Sequence, residues 1–99
     1  MKATLLVRRR ERQRDETFTE IVIWQLPRRQ PGSEHRYKYR LALVVQDVCV
    51  LRYDNEAGKG DHRHLGVEET PYRFTTIERL LEEFDADTRR YLNEHPHHR

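Results

Sequence analysis

Hydrophobic and polar positions alternate along the first half of the chain, which is typical of strands with one buried face. Residues 2–10 and 17–26 alternate or run apolar and are rich in β-favouring side chains. The charged residues 11–15 are predicted to turn between them. Residues 27–33, with two prolines and a glycine, are predicted to form the loop that ends this first hairpin.

The clearest strand pattern runs through residues 35–45. Tyrosines and aliphatic residues occupy one face, whereas Arg36, Lys38 and Arg40 form a row of cations on the other. A tight turn at residues 46–47 is predicted to return the chain as a fourth strand.

A short edge strand and a helix are predicted in the last third of the chain. Residues 67–74 have a strand pattern that Pro71 limits. Thr75 and Glu78 have the spacing of a capping box at a helix start. The apolar face of that helix consists of Ile77, Leu80, Leu81, Phe84, Tyr91 and Leu92, with Thr88 in the gap. Such a stripe predicts that the helix packs on the sheet.

Together these elements predict an α+β fold, an antiparallel sheet of four to five strands with one C-terminal helix packed on it. Residues 1–94 are expected to form a single domain and residues 95–99 a disordered tail. Among 99 residues, 35% are hydrophobic and 36% are charged, so the core is thin. A partner or a homo-oligomer that covers apolar surface is therefore an open expectation.

The sequence also favours a cytoplasmic location. No stretch approaches the roughly 18 apolar residues of a membrane span. The N-terminus turns to arginine after a short apolar run and does not resemble a secretory signal. The single cysteine, Cys49, cannot form an internal disulfide, which is consistent with a reducing cytosol. Because it lies in an apolar run, we interpret Cys49 as a small buried hydrophobe.

Charge is distributed unevenly along the chain, although the net charge is only +2. Residues 1–63 contain 14 Lys and Arg against 9 Asp and Glu, while residues 64–99 contain 5 against 8. A basic body of this kind attracts polyanions, with a strong salt dependence if phosphates are the target. An ordinary solvated surface explains the N-terminal arginine cluster equally well.

The segment from Tyr53 to His64 concentrates the polar chemistry of the sequence. It combines carboxylates, a carboxamide, cations, histidines and two glycines within twelve residues. Gly58 and Gly60 allow backbone angles that other residues resist. We therefore expect a loop that presents groups to a ligand, with Tyr53 and Asp54 positioning the loop or the substrate.

His62 and His64 are the candidate acid–base pair of this segment. If the backbone is extended, both rings point to one side and Arg63 to the other. Imidazole titrates near pH ~6.5, and a histidine pair can cleave RNA through attack of the 2'-hydroxyl. Charge that builds on the phosphate needs a cation. The candidates are Lys59 and Arg63 in the segment and Arg36, Lys38 and Arg40 in the strand. Stacking or hydrogen-bonding surfaces for single-stranded bases come from Tyr37, Tyr39 and Tyr53.

The same segment contains metal-ligand types. Asp61, His62 and His64, with Asp54 as a further oxygen donor, are groups that bind zinc or manganese. Against this, Lys59 and Arg63 would repel a divalent ion, and no second cluster has a recognised spacing. A structural hydrogen bond remains an alternative role for each histidine, and a turn or cap for the Asp54-Asn55 pair.

Four stretches of the sequence carry a family resemblance. They are His35-Arg36-Tyr37-Lys38-Tyr39-Arg40-Leu41, Arg52-Tyr53-Asp54-Asn55-Glu56, Gly58-Lys59-Gly60-Asp61-His62-Arg63-His64, and Glu69 with Pro71-Tyr72-Arg73-Phe74 before a leucine-rich acidic helix. The chain resembles, over roughly residues 3–92, the TumE family of small prokaryotic toxins. The resemblance implies a growth-inhibiting toxin of a type II toxin–antitoxin pair and a ribonuclease activity. It also implies an antitoxin, often a helix-turn-helix DNA-binding protein, that neutralises the toxin by direct contact.

The combined prediction is a metal-independent endoribonuclease toxin without a cofactor, acting on RNA that is free or on the ribosome. The candidate catalytic residues are His62, His64, Lys59, Arg63 and Asp61, and the candidate nucleic-acid-binding residues are Arg36, Lys38, Arg40, Tyr53, Asp54 and Asn55. A non-catalytic inhibitor that binds a nucleic acid or a protein is the main alternative. A nucleotidyl-transfer or other modifying activity at the same segment is a third.

Overall fold

The computed structural model describes residues 2–96, and within them six strands precede one helix. These elements are β1 (Thr4–Arg14), β2 (Thr17–Gln25), β3 (Tyr37–Val45), β4 (Val48–Glu56), β5 (Gly60–Leu65), β6 (Glu68–Pro71) and α1 (Ile77–Glu94). The strands form one antiparallel sheet in the order β1-β2-β3-β4-β5-β6, so each strand pairs with its neighbour in sequence. Short turns are sufficient to connect antiparallel neighbours. The predicted α+β class with one C-terminal helix is confirmed.

The predicted number of strands, four to five, is wrong because residues 53–64 form a hairpin and not a loop. β4 continues to Glu56, a turn occupies residues 57–59, and β5 begins at Gly60. Gly58 and Gly60 both have φ of 81°, which confirms that these positions need glycine. Polar side chains on both faces suggested a loop, but the tertiary structure supplies partners on each face of the hairpin.

Two other boundaries differ from the sequence prediction. Residues 11–15 were predicted as a turn, yet β1 continues through Arg14 and the turn falls at residues 15–16. Most side chains of this edge strand are exposed, so its charges do not oppose pairing. β3 begins at Tyr37 and leaves Arg36 in the preceding loop. The tight turn at residues 46–47 is confirmed, with positive φ at both positions.

The core lies between one face of the sheet and α1. Its buried hydrophobic members are Ile21, Ile23, Tyr39, Leu41, Leu43, Val45, Leu51, Tyr53, Leu80 and Phe84. The period-two prediction for β3 is therefore confirmed, because its tyrosine and aliphatic face is the one that the helix covers. Burying each large aliphatic side chain contributes about 1.5–3 kcal/mol. The other face of the sheet is covered by no element of residues 2–96.

The N-cap of the helix lies one residue later than predicted. Thr76 is the N-cap, and its side-chain oxygen accepts a hydrogen bond from the Arg79 backbone N–H at 3.0 Å. The capping box of Thr75 with Glu78 is wrong for that reason. The predicted stripe is confirmed at Leu80, Phe84 and Thr88, which are buried.

The predicted strand at residues 67–74 is confirmed over the shorter span of β6. The Arg14 guanidinium donates to the backbone carbonyls of Leu92, His95 and Pro96, and so joins the end of β1 to the end of α1. Residues 97–99 of the predicted disordered tail lie outside the described residues. Between residues 2 and 96, no helix is both long and apolar enough to cross a membrane.

Candidate functional site

The strand register aligns two rows of side chains across the sheet face that α1 does not cover, which we call the open face. The first row is Arg8, Val22, Arg40, Asp54, His62 and Pro71, and the second is Arg10, Glu20, Ala42, Arg52, His64 and Glu69. Directly paired residues of antiparallel strands have their side chains on the same side. Each row therefore joins one histidine to two arginines.

His62 and His64 lie side by side on the open face. Their ring centroids are 6.5 Å apart, and each side chain is 24% exposed. The Nε2 atoms of His62 and His64 lie 3.8 and 3.9 Å from the same oxygen, Oε2 of Glu69. The prediction that both rings point to one side is confirmed, and the two nitrogens converge on a point that holds an anionic oxygen.

Arg52 and Asp54 complete this cluster from β4. The Arg52 Nη2 atom lies 3.0 Å from His64 Nε2, and Arg52 Nε lies 3.0 Å from Asp54 Oδ2. Because a guanidinium can only donate, His64 Nε2 is the acceptor and the ring proton belongs on Nδ1. Asp54 Oδ1 lies 3.5 Å from the same Nε2. In this arrangement the Nε2 lone pair of His64 accepts a hydrogen bond from Arg52.

Arg63 lies on the opposite face, where it joins β5 to α1. Its Nε donates to Asp87 Oδ2 at 2.8 Å and to the Tyr53 hydroxyl at 3.3 Å, and that hydroxyl donates to the same carboxylate oxygen at 2.5 Å. Burial and the hydrogen bond to Asp87 raise the pKa of Tyr53. Burial opposes the charge of Arg63, but its bonds to Asp87 and Tyr53 outweigh that effect and raise its pKa. Neither Arg63 nor Tyr53 reaches the histidine pair.

Asp61 also points to the helix side of the sheet. Its Oδ2 lies 2.8 Å from His35 Nε2 and accepts a hydrogen bond from the Tyr39 hydroxyl at 2.6 Å. The Tyr37 backbone N–H donates to His35 Nδ1 at 3.0 Å, so the proton of His35 is on Nε2 and is donated to Asp61. Burial, followed by the bond to Asp61, raises the pKa of Tyr39. The structure thus separates Asp61 from His62 and His64.

The remaining predicted site residues divide between the faces and the loops. Lys38 and Arg40 belong to the open face, and the Lys38 Nζ atom donates to the Asn55 carbonyl at 2.6 Å. The side chain of Asn55 is instead buried, with only 2% of the residue exposed. Lys59 is exposed in the turn between β4 and β5, and Arg36 is exposed in the loop before β3.

The sequence interpretation missed Arg52 and Glu69 as neighbours of the histidines. A signal for Arg52 was present, because a hairpin with a three-residue turn at residues 57–59 pairs Asp54 with His62 and Arg52 with His64. Interpreting this segment as a loop hid that register. The position of Glu69 beside the histidines depends on the pairing of β5 with β6, which no local sequence pattern predicts.

The arrangement does not form a metal centre in the part of the chain from residue 2 to residue 96. No group there of three or more His, Cys, Asp and Glu side chains has a geometry that could hold a metal ion. Asp61 faces away from His62 and His64, and the Arg52 guanidinium contacts both His64 and Asp54, so its positive charge opposes a cation there.

Comparison with known proteins agrees with the resemblance in the sequence. A family model described as Toxin TumE matches residues 2–92, which is nearly the whole chain. No curated protein and no solved structure matches this sequence. A toxin of this family implies a cognate antitoxin as its partner. The chain therefore belongs to the TumE family of toxins.

Proposed function

We propose that this toxin is a metal-independent endoribonuclease whose acid–base pair is His62 and His64. The supporting observation is the convergence of both Nε2 atoms on one carboxylate oxygen of Glu69, 3.8 and 3.9 Å away. A phosphate oxygen is also an anionic hydrogen-bond acceptor, so the same point is suited to a phosphodiester. With two imidazoles beside one phosphate, one can remove a proton from the attacking hydroxyl while the other gives a proton to the leaving oxygen.

The tautomer of His64 assigns it the role of base, which leaves the role of acid to His62. When RNA enters, the Arg52 guanidinium turns from His64 Nε2 to the phosphate, and the freed nitrogen takes the proton from the 2'-hydroxyl as that oxygen attacks phosphorus. His62 gives a proton to the leaving 5'-oxygen as the bond between phosphorus and that oxygen breaks. The products are a cyclic phosphate and a free 5'-hydroxyl, and no other reactant is consumed.

The charge of the transition state is stabilised from the neighbouring strands. Arg52 lies directly opposite His64, so its guanidinium group faces the reacting phosphate, whereas Arg40 lies two strands from His62 in the other row and binds a flanking phosphate. Lys59 extends from the turn between β4 and β5 and binds a flanking phosphate. The Glu69 side chain is 53% exposed on an edge strand, so it can turn aside when RNA enters.

Arg63 and Asp61 act as positioning residues in this mechanism. Arg63 anchors β5 to α1 through Asp87, and Asp61 anchors the start of β5 to His35 and Tyr39. Both residues alternate in sequence with the histidines, so their bonds on the helix side orient His62 and His64 toward the open face.

The test compares histidine variants in cells and with purified protein. His62→Ala and His64→Ala are each expected to reduce RNA cleavage by about 10²–10⁴-fold and to abolish growth inhibition, because each removes one proton-transfer step. His95→Ala is the matched control, since His95 lies at the end of α1 and stacks on Tyr91 at 4.0 Å. A chelator is expected to leave cleavage unchanged. Cleavage retained in both histidine variants, or lost with the chelator, would contradict the mechanism.

A non-catalytic inhibitor is the second candidate, and one observation favours it. The histidine nitrogens already have partners in Arg52, Asp54 and Glu69, as expected for a structural cluster. Under this alternative, toxicity depends on the exposed Arg40 and not on the histidines. Incubation of labelled RNA with the protein, with and without ribosomes, separates the two candidates. A stoichiometric gel shift without new fragments would support the binder, and new fragments would support the nuclease.

A further inference from the structure

A groove of about 650 Å³ lies on the open face over β1, β2 and β3, away from the histidine pair. Its lining combines cations with apolar surface. The charged side chains that the register places on this face are Arg8, Arg10, Lys38 and Arg40 against the single carboxylate of Glu20, whereas Arg9 pairs with Ile21 and points to the helix side. Four positive charges against one negative charge make this groove an attractive site for a polyanion.

The positive charge of the groove is only partly neutralised within the protein. Glu20 lies 3.9 Å from Arg10 and 3.8 Å from Arg40, so one carboxylate is shared by two guanidinium groups. Lys38 donates to a backbone carbonyl, which leaves its charge uncompensated. Arg8 is exposed and has no ion pair with any residue from 2 to 96. At Arg8 and Lys38, a bound phosphate would therefore displace water and would not have to break an existing ion pair.

Trp24 adds an aromatic surface to the same groove. It is the only tryptophan of the chain, and the register places it between Leu5 and Lys38. Its face of the sheet has no helix above it, so the half-buried indole lies in the lining of the groove without a covering element from residues 2–96. An indole beside cations is the combination on which single-stranded bases stack while their phosphates are neutralised.

We propose that this groove binds single-stranded RNA, with Trp24 stacking on a base and Arg8, Lys38 and Arg40 contacting phosphates. The inference rests on the proposed function for the identity of the nucleic acid. A duplex is excluded because its base faces are already stacked on one another and cannot reach the indole.

The register connects the groove to the histidine pair. Arg8, Arg40 and His62 belong to one row across the sheet. Neighbouring strands lie about 4.8 Å apart, so Arg40 is about 10 Å and Arg8 about 19 Å from His62 along that row. A strand held at Trp24 and Arg40 thus continues over β4 to the cleavage site, and the groove binds the part of the substrate that flanks the reacting phosphate.

The experiment measures RNA binding in full-length protein that carries His62→Ala and His64→Ala, so that the probe stays intact. The probe is a fluorescein-labelled single-stranded RNA of about 12 nucleotides, within the site sizes of small single-strand-binding domains. Trp24→Ala is expected to weaken binding roughly 5- to 100-fold, the range found for loss of one stacked base, and Trp24→Phe to restore most of it. Arg8→Ala is expected to weaken binding and to lower the salt slope by about 1.

Arg79→Ala is the matched control, because Arg79 is an exposed cation on α1 at the other side of the molecule. Arg8 is also exposed, so its substitution tests the groove even if Trp24→Ala reduces folding. Three results would each overturn the inference: equal binding of a duplex of the same sequence, tighter binding of polyglutamate than of RNA, or unchanged RNA binding in both Trp24→Ala and Arg8→Ala.

The same measurements separate this inference from the proposed nuclease. If wild-type protein leaves RNA uncut but the groove variants lose binding, the groove is supported and the cleavage mechanism fails. If wild-type protein cuts RNA while Trp24→Ala and Arg8→Ala bind and cut it equally well, the groove fails and the histidine mechanism stands.

Discussion

At the scale of single residues, Asn55 shows how a polar side chain of this hairpin serves folding. Pairing of β3 with β4 begins at Arg40 and Asp54, so Tyr37 and Tyr39 lie beyond the ladder. The Asn55 side chain continues it, since Oδ1 accepts from the Tyr39 N–H at 3.0 Å and Nδ2 donates to the Tyr37 carbonyl at 2.7 Å. Asn55 was predicted to bind nucleic acid, but its side chain is engaged with the backbone.

Asn55→Ala is expected to lower the free energy of unfolding by about 2–4 kcal/mol. The substitution leaves the buried Tyr39 N–H and the part-buried Tyr37 carbonyl without partners, and each such group costs about 1–3 kcal/mol, with the carbonyl near the lower end. Urea denaturation measures the change. The neighbouring Glu56 is exposed, so Glu56→Ala should stay within about 0.5 kcal/mol of wild type. Equal effects of the two variants would contradict the role of the Asn55 side chain.

Glu69 provides a second prediction at this scale. If its carboxylate occupies the position of a phosphate oxygen, Glu69→Gln should bind single-stranded RNA about two- to fivefold more tightly, because a competing exposed charge is removed. Glu68→Gln is the matched control, since Glu68 is one residue earlier in β6 and points to the other face. Fluorescence anisotropy measures both. Equal gains in affinity would show a general charge effect and not a specific position.

At the scale of elements, α1 is joined to the sheet by hydrogen bonds as well as by apolar packing. The Asp87 carboxylate accepts hydrogen bonds from Arg63 and Tyr53 of the hairpin. The Tyr72 hydroxyl donates a hydrogen bond to Glu83 at 2.5 Å. The helix also contains several acidic residues. Two of them turn toward the sheet because β4, β5 and the segment after β6 offer donors there.

Asp87→Ala is expected to destabilise the protein by about 1–3 kcal/mol. It leaves the Arg63 charge and the Tyr53 hydroxyl without their acceptor, and the cost is below that of a fully buried pair because Arg63 is 27% exposed. Asp85→Ala, which breaks only the exposed pair with Arg89, should change stability by about 0.5 kcal/mol or less. Thermal or urea unfolding compares them, and similar values for both variants would refute the anchoring role.

The helix start supplies a separate test. Thr76→Ala removes the acceptor of the Arg79 N–H and is expected to cost about 1 kcal/mol. Thr75→Ala should cost clearly less, since Thr76 and not Thr75 is the N-cap. Urea unfolding of the two single variants distinguishes them. A larger effect at Thr75 would restore the capping box that the sequence predicts.

At the scale of the whole molecule, the two faces of the sheet differ, because one contains the buried core and the other exposes polar groups. The helix side contains the core and three tyrosines whose pKa is raised, Tyr39, Tyr53 and Tyr72. For each, burial is the main cause, followed by a hydrogen bond to Asp61, Asp87 or Glu83 respectively. The open face keeps the histidines and the cations accessible.

Those tyrosines predict a loss of stability at alkaline pH. Their pKa in the unfolded chain is about 10. Below that pH both states keep the proton, and the stabilisation is fully present. Above it, the unfolded chain releases protons that the folded state retains, so the free energy of unfolding falls with rising pH, by about 1.4 kcal/mol per pH unit for each tyrosine. Urea unfolding between about pH 9 and 11 measures the slope.

Tyr39→Phe serves as the control for this slope, because it removes one of the three titrating groups. The variant should reduce the slope of the free energy of unfolding against pH by the contribution of one proton, about 1.4 kcal/mol per pH unit. A free energy of unfolding that stays constant over this range, or a slope that is the same in wild type and Tyr39→Phe, would contradict the assignment.

Local patterns determined much of this structure from the sequence. Period-two alternation identified the core face of β3, and apolar spacing identified the buried stripe of α1. The i, i+2 spacing of His62 and His64 was enough to place both rings on one side, because side-chain direction in a strand depends only on parity. These features follow from short-range geometry, and the family was recognisable from contiguous residues.

Only the tertiary structure decided which polar groups meet. Arg63 and Asp87 are 24 positions apart, and His35 and Asp61 are 26 apart, so no local periodicity relates them. Their pairing depends on where α1 crosses the sheet and on the register of six strands. The physical reason is that a strand specifies the side on which a residue lies, whereas its partner is determined by whichever element packs on that side.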